Sequence, residues 1–215
     1  YNPFAAGSTA AYAPVLMKGY YGCDTTLTVQ NLSTSSTKVT VLYSNGNTSK
    51  KNVAGSSSVL FYTPSEPASS LSSAKITTNN GAEIVALVNE SCTNDNAATY
   101  SGFSEGSQTV NAPIVLKSYY GFSTSITCQN VGTSKTTIKV TYSNGVKEQK
   151  STGKNKTALF YQPSVAGLPN GFNGSAIITA GQPIVCVVNE AGSSASAVDQ
   201  LLAYFGPQMS GGGDS

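Results

Sequence analysis

Tyr100-Ser-Gly-Phe-Ser-Glu-Gly-Ser-Gln-Thr-Val-Asn-Ala-Pro-Ile-Val-Leu-Lys117 lies at the middle of the 215-residue chain and divides it into two copies of one pattern. Its second half, Ala112-Pro113-Ile-Val-Leu-Lys117, repeats Ala13-Pro14-Val-Leu-Met-Lys18 at an offset of 99 positions. Its first half, Tyr100-x-x-Phe103, repeats Tyr1-x-x-Phe4 at the same offset. Ala203-Tyr204-Phe205-Gly206 is a further echo near the C-terminus. Self-similarity at a fixed period reads as tandem structural units, and about 100 residues is an ordinary size for one hydrophobic core.

Outward from this junction, the two copies match motif by motif. Tyr20-Tyr21-Gly22 returns as Tyr119-Tyr120-Gly121. Lys38 to Tyr43 and Thr137 to Tyr142 alternate with period two, and each precedes Ser-Asn-Gly, a hairpin signal whose two turn residues favour positive φ. Ile84-Val-Ala-Leu-Val88-Asn-Glu90 returns as Ile184-Val-Cys-Val-Val188-Asn-Glu190. Apolar runs of this length predict a central strand covered on both faces. Seven or eight short strands per repeat, with no convincing amphipathic helix, predict an all-β chain: two tandem immunoglobulin-like antiparallel β-sandwich domains with extended terminal arms. The expected division is an N-terminal arm (1–12), a first repeat (13–103), a linker (104–111), a second repeat (112–206) and a tail (207–215).

The cysteines sharpen this scheme. Cys23 and Cys92 lie in the first repeat, Cys128 and Cys186 in the second, at non-equivalent positions. Mapped back, Cys128 falls on Val29 and Cys186 on Ala86. Positions 23 and 92 add to 115, and so do 29 and 86. A constant index sum marks partners on two antiparallel strands, which predicts the bridges Cys23–Cys92 and Cys128–Cys186. The alternative is buried free thiols.

Composition bounds the function. Charged residues are 10% of the chain, and its 12 basic residues are all Lys, scattered rather than clustered. Nucleic acid is therefore not an expected partner. There is no His, so Ser-His and Cys-His nucleophile arrangements are excluded. No enzyme activity and no cofactor are expected, and no apolar run approaches the length of a membrane-spanning helix. A chain that begins at Tyr1 reads as a processed mature protein or a fragment, and its richness in Ser, Thr, Asn and Gly predicts a secreted, cell-surface protein whose signal peptide has been removed.

Three side-chain groups stand out. Lys18, Asn89 and Glu90, with their copies Lys117, Asn189 and Glu190, have the residue types of an intramolecular isopeptide bond; the plainer reading is an ion pair or a hydrogen bond to a loop amide. Asn89 and Glu90 are consecutive, so they point to opposite faces of a strand. Asp24 and Asp95 converge if Cys23 pairs with Cys92, which makes a calcium candidate with a solvated loop as the alternative. Tyr1, Phe4, Tyr12, Leu201, Leu202, Tyr204 and Phe205 are the apolar residues of the two arms. Placing one chain's start on another's end would recreate the internal junction between subunits, a head-to-tail contact that propagates.

Tyr119-Tyr-Gly-Phe-Ser-Thr-Ser-Ile-Thr-Cys-Gln-Asn130, Phe160-Tyr-Gln-Pro163 and Gly171-Phe-Asn-Gly-Ser-Ala-Ile-Ile-Thr179 resemble the tandem immunoglobulin-like repeats of secreted bacterial surface and filament proteins. The resemblance covers both repeats and implies an extracellular structural role without a named activity. The function expected is a structural subunit of an extracellular bacterial filament or surface assembly, polymerising head-to-tail through its terminal arms by strand addition to a neighbouring subunit, with identical subunits as partners. The alternative is a carbohydrate-binding or adhesin module with glycans as partners.

Overall fold

The computed structural model describes residues 6–62, 67–93, 96–192 and 201–205. The strands of the first half are β1 (Ala10–Lys18), β2 (Cys23–Asn31), β3 (Thr37–Tyr43), β4 (Thr48–Val53), β5 (Ser58–Tyr62), β6 (Ser70–Thr78), β7 (Ile84–Cys92) and β8 (Ala97–Ser101). The second half carries β9 (Ser107–Lys117), β10 (Phe122–Asn130), β11 (Thr136–Tyr142), β12 (Lys147–Thr152), β13 (Thr157–Tyr161), β14 (Phe172–Gly192) and β15 (Leu201–Phe205). A 3-10 turn at Gln162–Ser164 is the only named helical element among the described residues.

In the first half, two antiparallel sheets ordered β1-β6-β3-β4 and β5-β2-β7-β8 enclose one core. Alternation sets the inward face: Val39, Val41 and Tyr43 of β3 are buried, as are Leu27 and Val29 of β2. Thr25 Oγ1 joins the layers, accepting from Met17 N at 3.0 Å and donating to Met17 O at 3.3 Å; Thr124 and Leu116 repeat this in the second half.

The second half uses the same plan with one change. β14 takes the place of both β6 and β7 in a single 21-residue strand. Its first part pairs with β9 and β11, and its last part with β10 and β15. The equivalent chain in the first half breaks at Asn79-Asn80-Gly81, where Gly81 has φ 72°. Because β14 runs through both layers, they join into one seven-stranded, partly barrel-like sheet.

The strand register follows the cysteine arithmetic. Cys23 faces Cys92 and Val29 faces Ala86 across β2 and β7, while Cys128 faces Cys186 across β10 and β14. Disulfides Cys23–Cys92 and Cys128–Cys186 bridge these neighbours. Each joins adjacent strands of one sheet, whereas the bridge of an antibody domain crosses between sheets.

Two expectations need correcting. The hairpin at Ser44-Asn45-Gly46 places only Gly46 at positive φ (93°), because Asn45 Oδ1 accepts from Asn47 N and stabilises a longer loop. The N-terminal stretch is not a separate arm throughout. Ser8 bridges Ile84, β1 begins at Ala10, and Tyr12 bridges Phe103, so residues 8–12 complete the first half's own sheets. In the same way β9 begins at Ser107, inside the stretch read as a linker.

Candidate functional site

The two halves meet along a seam made of unlike surfaces. The first half contributes the side where β1 and β8, edge strands of its two sheets, come together at the Tyr12–Phe103 bridge. Pro14 causes a local problem there. It has no N–H to donate, and the β1–β6 register shifts between Ala13 and Leu16. Val15 is left without ladder partners, and Tyr100 of β8 supplies them: its hydroxyl accepts from Val15 N at 3.0 Å and donates to Val15 O at 2.5 Å. Burial and the nearby Glu90 push the Tyr100 phenol well above its ordinary pKa, so it stays a donor.

The second half contributes the outer face of β10, β13 and the last part of β14, together with β15, which lies against β8 with Ala203 packed on the first core. Ile184, Cys186 and Val188 point into the second core, while Val187, on the opposite face of the strand, packs into the first. Among the described residues, these hydrogen bonds cross the seam. Asn189 Nδ2 donates to Glu90 Oε2 at 2.8 Å, Gln129 Nε2 to Ala74 O at 3.1 Å, Thr157 Oγ1 to Pro14 O at 3.1 Å, and Ser73 Oγ to Asn155 O at 2.9 Å.

A cleft of about 360 Å³ opens within this seam, with Val15, Met17, Leu71 and Leu159 as apolar wall and Tyr20, Tyr21 and Tyr161 at its aromatic side. Glu90 and Asn189 face it from opposite halves. Glu90 is buried, and desolvation raises its carboxyl from 4.5 to about 7 even though the Asn189 bond pulls the other way. Its Oε1 and Asn189 Oδ1 are both buried without a hydrogen-bond partner. A proton on Glu90 gives this facing acid–amide pair the donor it lacks. The cleft lining contains no lysine, and its hydroxyls belong to tyrosines, Ser125 and Thr127.

The plainer of the two readings of the lysine–asparagine–acid groups, hydrogen bonds to other partners, describes the contacts seen at Asn89, Asn189 and Lys117. Asn89 accepts from Thr99 Oγ1 at 2.9 Å, Asn189 is held by Glu90, and Lys117 Nζ donates to Val165 O at 2.8 Å. Lys18 ends β1 opposite Ser70. Glu190 follows Asn189 on the opposite face of β14, as Glu90 follows Asn89 on β7. Sequence points to Glu90 and Asn189 but pairs them with lysines; the repeat pattern carries no sign that they meet each other. Asp24 Oδ1 accepts from Gly19 N at 2.9 Å, whereas Asp95 lies outside the described residues. Among the described residues no group of three or more His, Cys, Asp or Glu is placed to hold a metal. Of the assembly residues, Tyr12 lies in β1 with Lys75 Nζ 5.7 Å from its ring centre. Tyr1 and Phe4 are outside the described residues, and for Leu201, Leu202, Tyr204 and Phe205 only the backbone is described, paired with β14.

No family model matches the chain, and no curated protein matches it in sequence. Among solved structures it is similar to protein 1070 of Thermotoga maritima, at 16% identity and a TM-score of 0.42, over 48% of this chain and 96% of that one. It is also similar to a mutant of oxalate decarboxylase OxdC from Bacillus subtilis (9% identity, TM-score 0.26, 88% of this chain and 67% of that one). A third likeness is to β-glucuronidase 2 from Bacteroides uniformis (11% identity, TM-score 0.25, 92% and 26%).

Proposed function

We propose that this chain is a structural subunit of an extracellular bacterial filament or surface assembly, built from two tandem sandwiches that polymerise head-to-tail. The sandwiches are immunoglobulin-like in architecture, with their own order of strands. One observation carries the reading: the two repeats already pack through unlike surfaces, the β1/β8 side of one against the β10/β13/β14 face of the other. A heterologous contact between two units of one strand plan uses one surface of each and leaves much of the complementary surface of each uncovered, which is the geometry of an open polymer. Two disulfides fit an oxidising compartment, and secretion to the cell surface follows from that in this reading. No helix among the described residues is long and apolar enough to cross a membrane.

Electron microscopy of native, undenatured material tests the proposal. Regular filaments with an axial repeat of one two-repeat subunit are expected; monodisperse single chains at high concentration would sink it.

A second reading, glycan binding, rests on Tyr21 and Tyr120. They are 87% and 86% exposed, and each packs edge-on against its neighbour, Tyr20 or Tyr119. Both have positive φ (50° and 47°), an uncommon backbone for a bulky residue and a reason to look for a role. Under this reading Tyr21→Ala with Tyr120→Ala abolishes retention on a glycan array; unchanged retention removes the tyrosines from it.

A further inference from the structure

The seam inside the chain has a template for a second one. Each of the four hydrogen bonds named above has a counterpart donor and acceptor on the surfaces that the chain does not use. Asn189 and Glu90 correspond to Asn89 and Glu190, and Gln129 and Ala74 to Gln30 and Ala176. Thr157 and Pro14 correspond to Ser58 and Pro113, where Ser keeps the hydroxyl. Ser73 and Asn155 correspond to Ser175 and Ser56; Ser56 and Asn155 share the left-handed backbone, at φ 55° and 58°. All four pairs therefore keep their hydrogen-bonding chemistry.

Burial separates the two sets. Gln129 is fully buried and Gln30 is exposed. Val15 is 2% exposed and its counterpart Ile114 is 47% exposed. Pro14 is buried and Pro113 is not; Val187 is buried and Leu87 is half-covered; Glu90 is buried and Glu190 half-buried. Among the apolar groups the contrast is carried by Ile114, exposed where Val15 is buried in the existing cleft, whereas Tyr62 and Tyr120 are exposed like their counterparts Tyr161 and Tyr21. Uncovered apolar side chains at equivalent positions of a contact already made elsewhere in the molecule mark an interaction surface.

We propose that a second copy of this chain sets the outer β2/β5/β7 face of its first repeat onto the β9 side of the second repeat, following the internal seam, with Asn89 of the incoming copy donating to Glu190. This rests on the filament reading and gives it an interface: sheet face on sheet edge, in place of terminal arms adding a strand. Since the new contact repeats the internal one, every repeat along the polymer has the same surroundings, and the helical operator between copies is the operator between repeats applied twice.

The test uses two variants of the whole chain at exposed positions, Gln30→Glu and Ile114→Glu, each checked for an unchanged melting temperature and two intact disulfides. Gln30→Glu spoils one surface and Ile114→Glu the other, and the like charges keep the two spoiled surfaces from pairing with each other. Burying either charge raises the concentration at which polymer appears by about a hundredfold or more. Mixed one to one, the variants form a dimer that stops, because each supplies the surface the other lacks; sedimentation velocity reads this directly. Wild-type polymer with both variants polymerising normally would overturn the interface and leave the filament reading standing. Variants that stay monomeric when mixed would also overturn it, since the surfaces then do not meet. A wild-type chain that never polymerises would overturn both.

Discussion

Replacing Glu90 by Gln isolates the buried acid of the seam. Gln keeps the shape and retains an acceptor for Asn189 Nδ2, while its amide nitrogen supplies a donor for Asn189 Oδ1, which has no partner in the wild type. The wild-type carboxyl titrates near 4.5 when exposed and near 7 in the fold. Its folded pKa is raised, so the folded state binds the extra proton between those values. The stabilisation is complete below pH 4.5 and is lost as pH rises through 7. The gap corresponds to about 3 kcal/mol. Asn189 and the tyrosines Tyr20, Tyr21 and Tyr161 line the cleft with Glu90, and the cleft holds no second carboxyl and no lysine. Burial raises the phenols of Tyr20 and of the neighbouring Tyr100, so the pH dependence belongs to the carboxyl. Urea unfolding of both proteins at half-unit steps from about pH 4.5 to 8.5 is the assay. The advantage of Glu90→Gln over wild type is expected to grow from near zero at about pH 4.5 to about 3 kcal/mol at about pH 8.5. Parallel curves across that range would refute the reasoning, because they would mean that Glu90 ionises in the fold as easily as in water.

Further changes probe the seam and its supports. Tyr100→Phe removes the partner of both Val15 N and Val15 O and is expected to cost about 1–3 kcal/mol in thermal or urea unfolding; no loss would mean that another group satisfies Val15. Cys128 and Cys186 are buried, while Cys23 and Cys92 are half-exposed, so mild reductant followed by alkylation and peptide mass mapping is expected to label Cys23 and Cys92 first. Loss of either bridge, spanning 69 and 58 residues, is expected to destabilise the chain by about 4 kcal/mol on the chain-entropy estimate. Gly55→Ala would bring a methyl group to 1.9 Å from Thr34 O, a backbone atom that cannot swing away, and a melting temperature lowered by several degrees is expected.

Much of the strand scheme is legible in the sequence because two independent signals agree. Repetition aligns the halves, and the cysteines, occupying different rungs of one ladder, set the register of β2 on β7 and of β10 on β14. The turn at Asn45 escapes this reading because a dipeptide signal does not count the residues of its loop: side-chain capping by Asn45 makes the loop longer than the sequence motif implies. The terminal stretch escapes it for another reason. Small apolar residues without a cap look like an unattached arm, yet Ser8 and Tyr12 find partners in Ile84 and Phe103, far away in the chain.

The apolar run of β7 shows why the seam itself is out of reach of the sequence. Ile84 to Val88 and Ile184 to Val188 are nearly the same sequence, and both predict a strand covered on two faces. In the second repeat the prediction holds, since Ile184 to Val188 are all buried and Val187 reaches the first core. In the first repeat Leu87 and Asn89 remain half-exposed. Nothing in the local sequence distinguishes the copies, because the difference lies in which surface the neighbouring repeat happens to occupy. Under the proposed assembly, a neighbouring copy supplies the cover that β7 does not receive inside the chain. Leu87→Lys makes the point measurable: on a lone chain it sits at a half-exposed position and is expected to shift stability by less than about 1 kcal/mol, whereas in an assembly it buries an ammonium and blocks growth. Val187→Lys, at the equivalent covered position, is expected to lower the stability of the single chain itself by about 3 kcal/mol or more. Equal effects of the two substitutions on the isolated chain would mean that the two faces are alike, and the argument from unequal cover would fail.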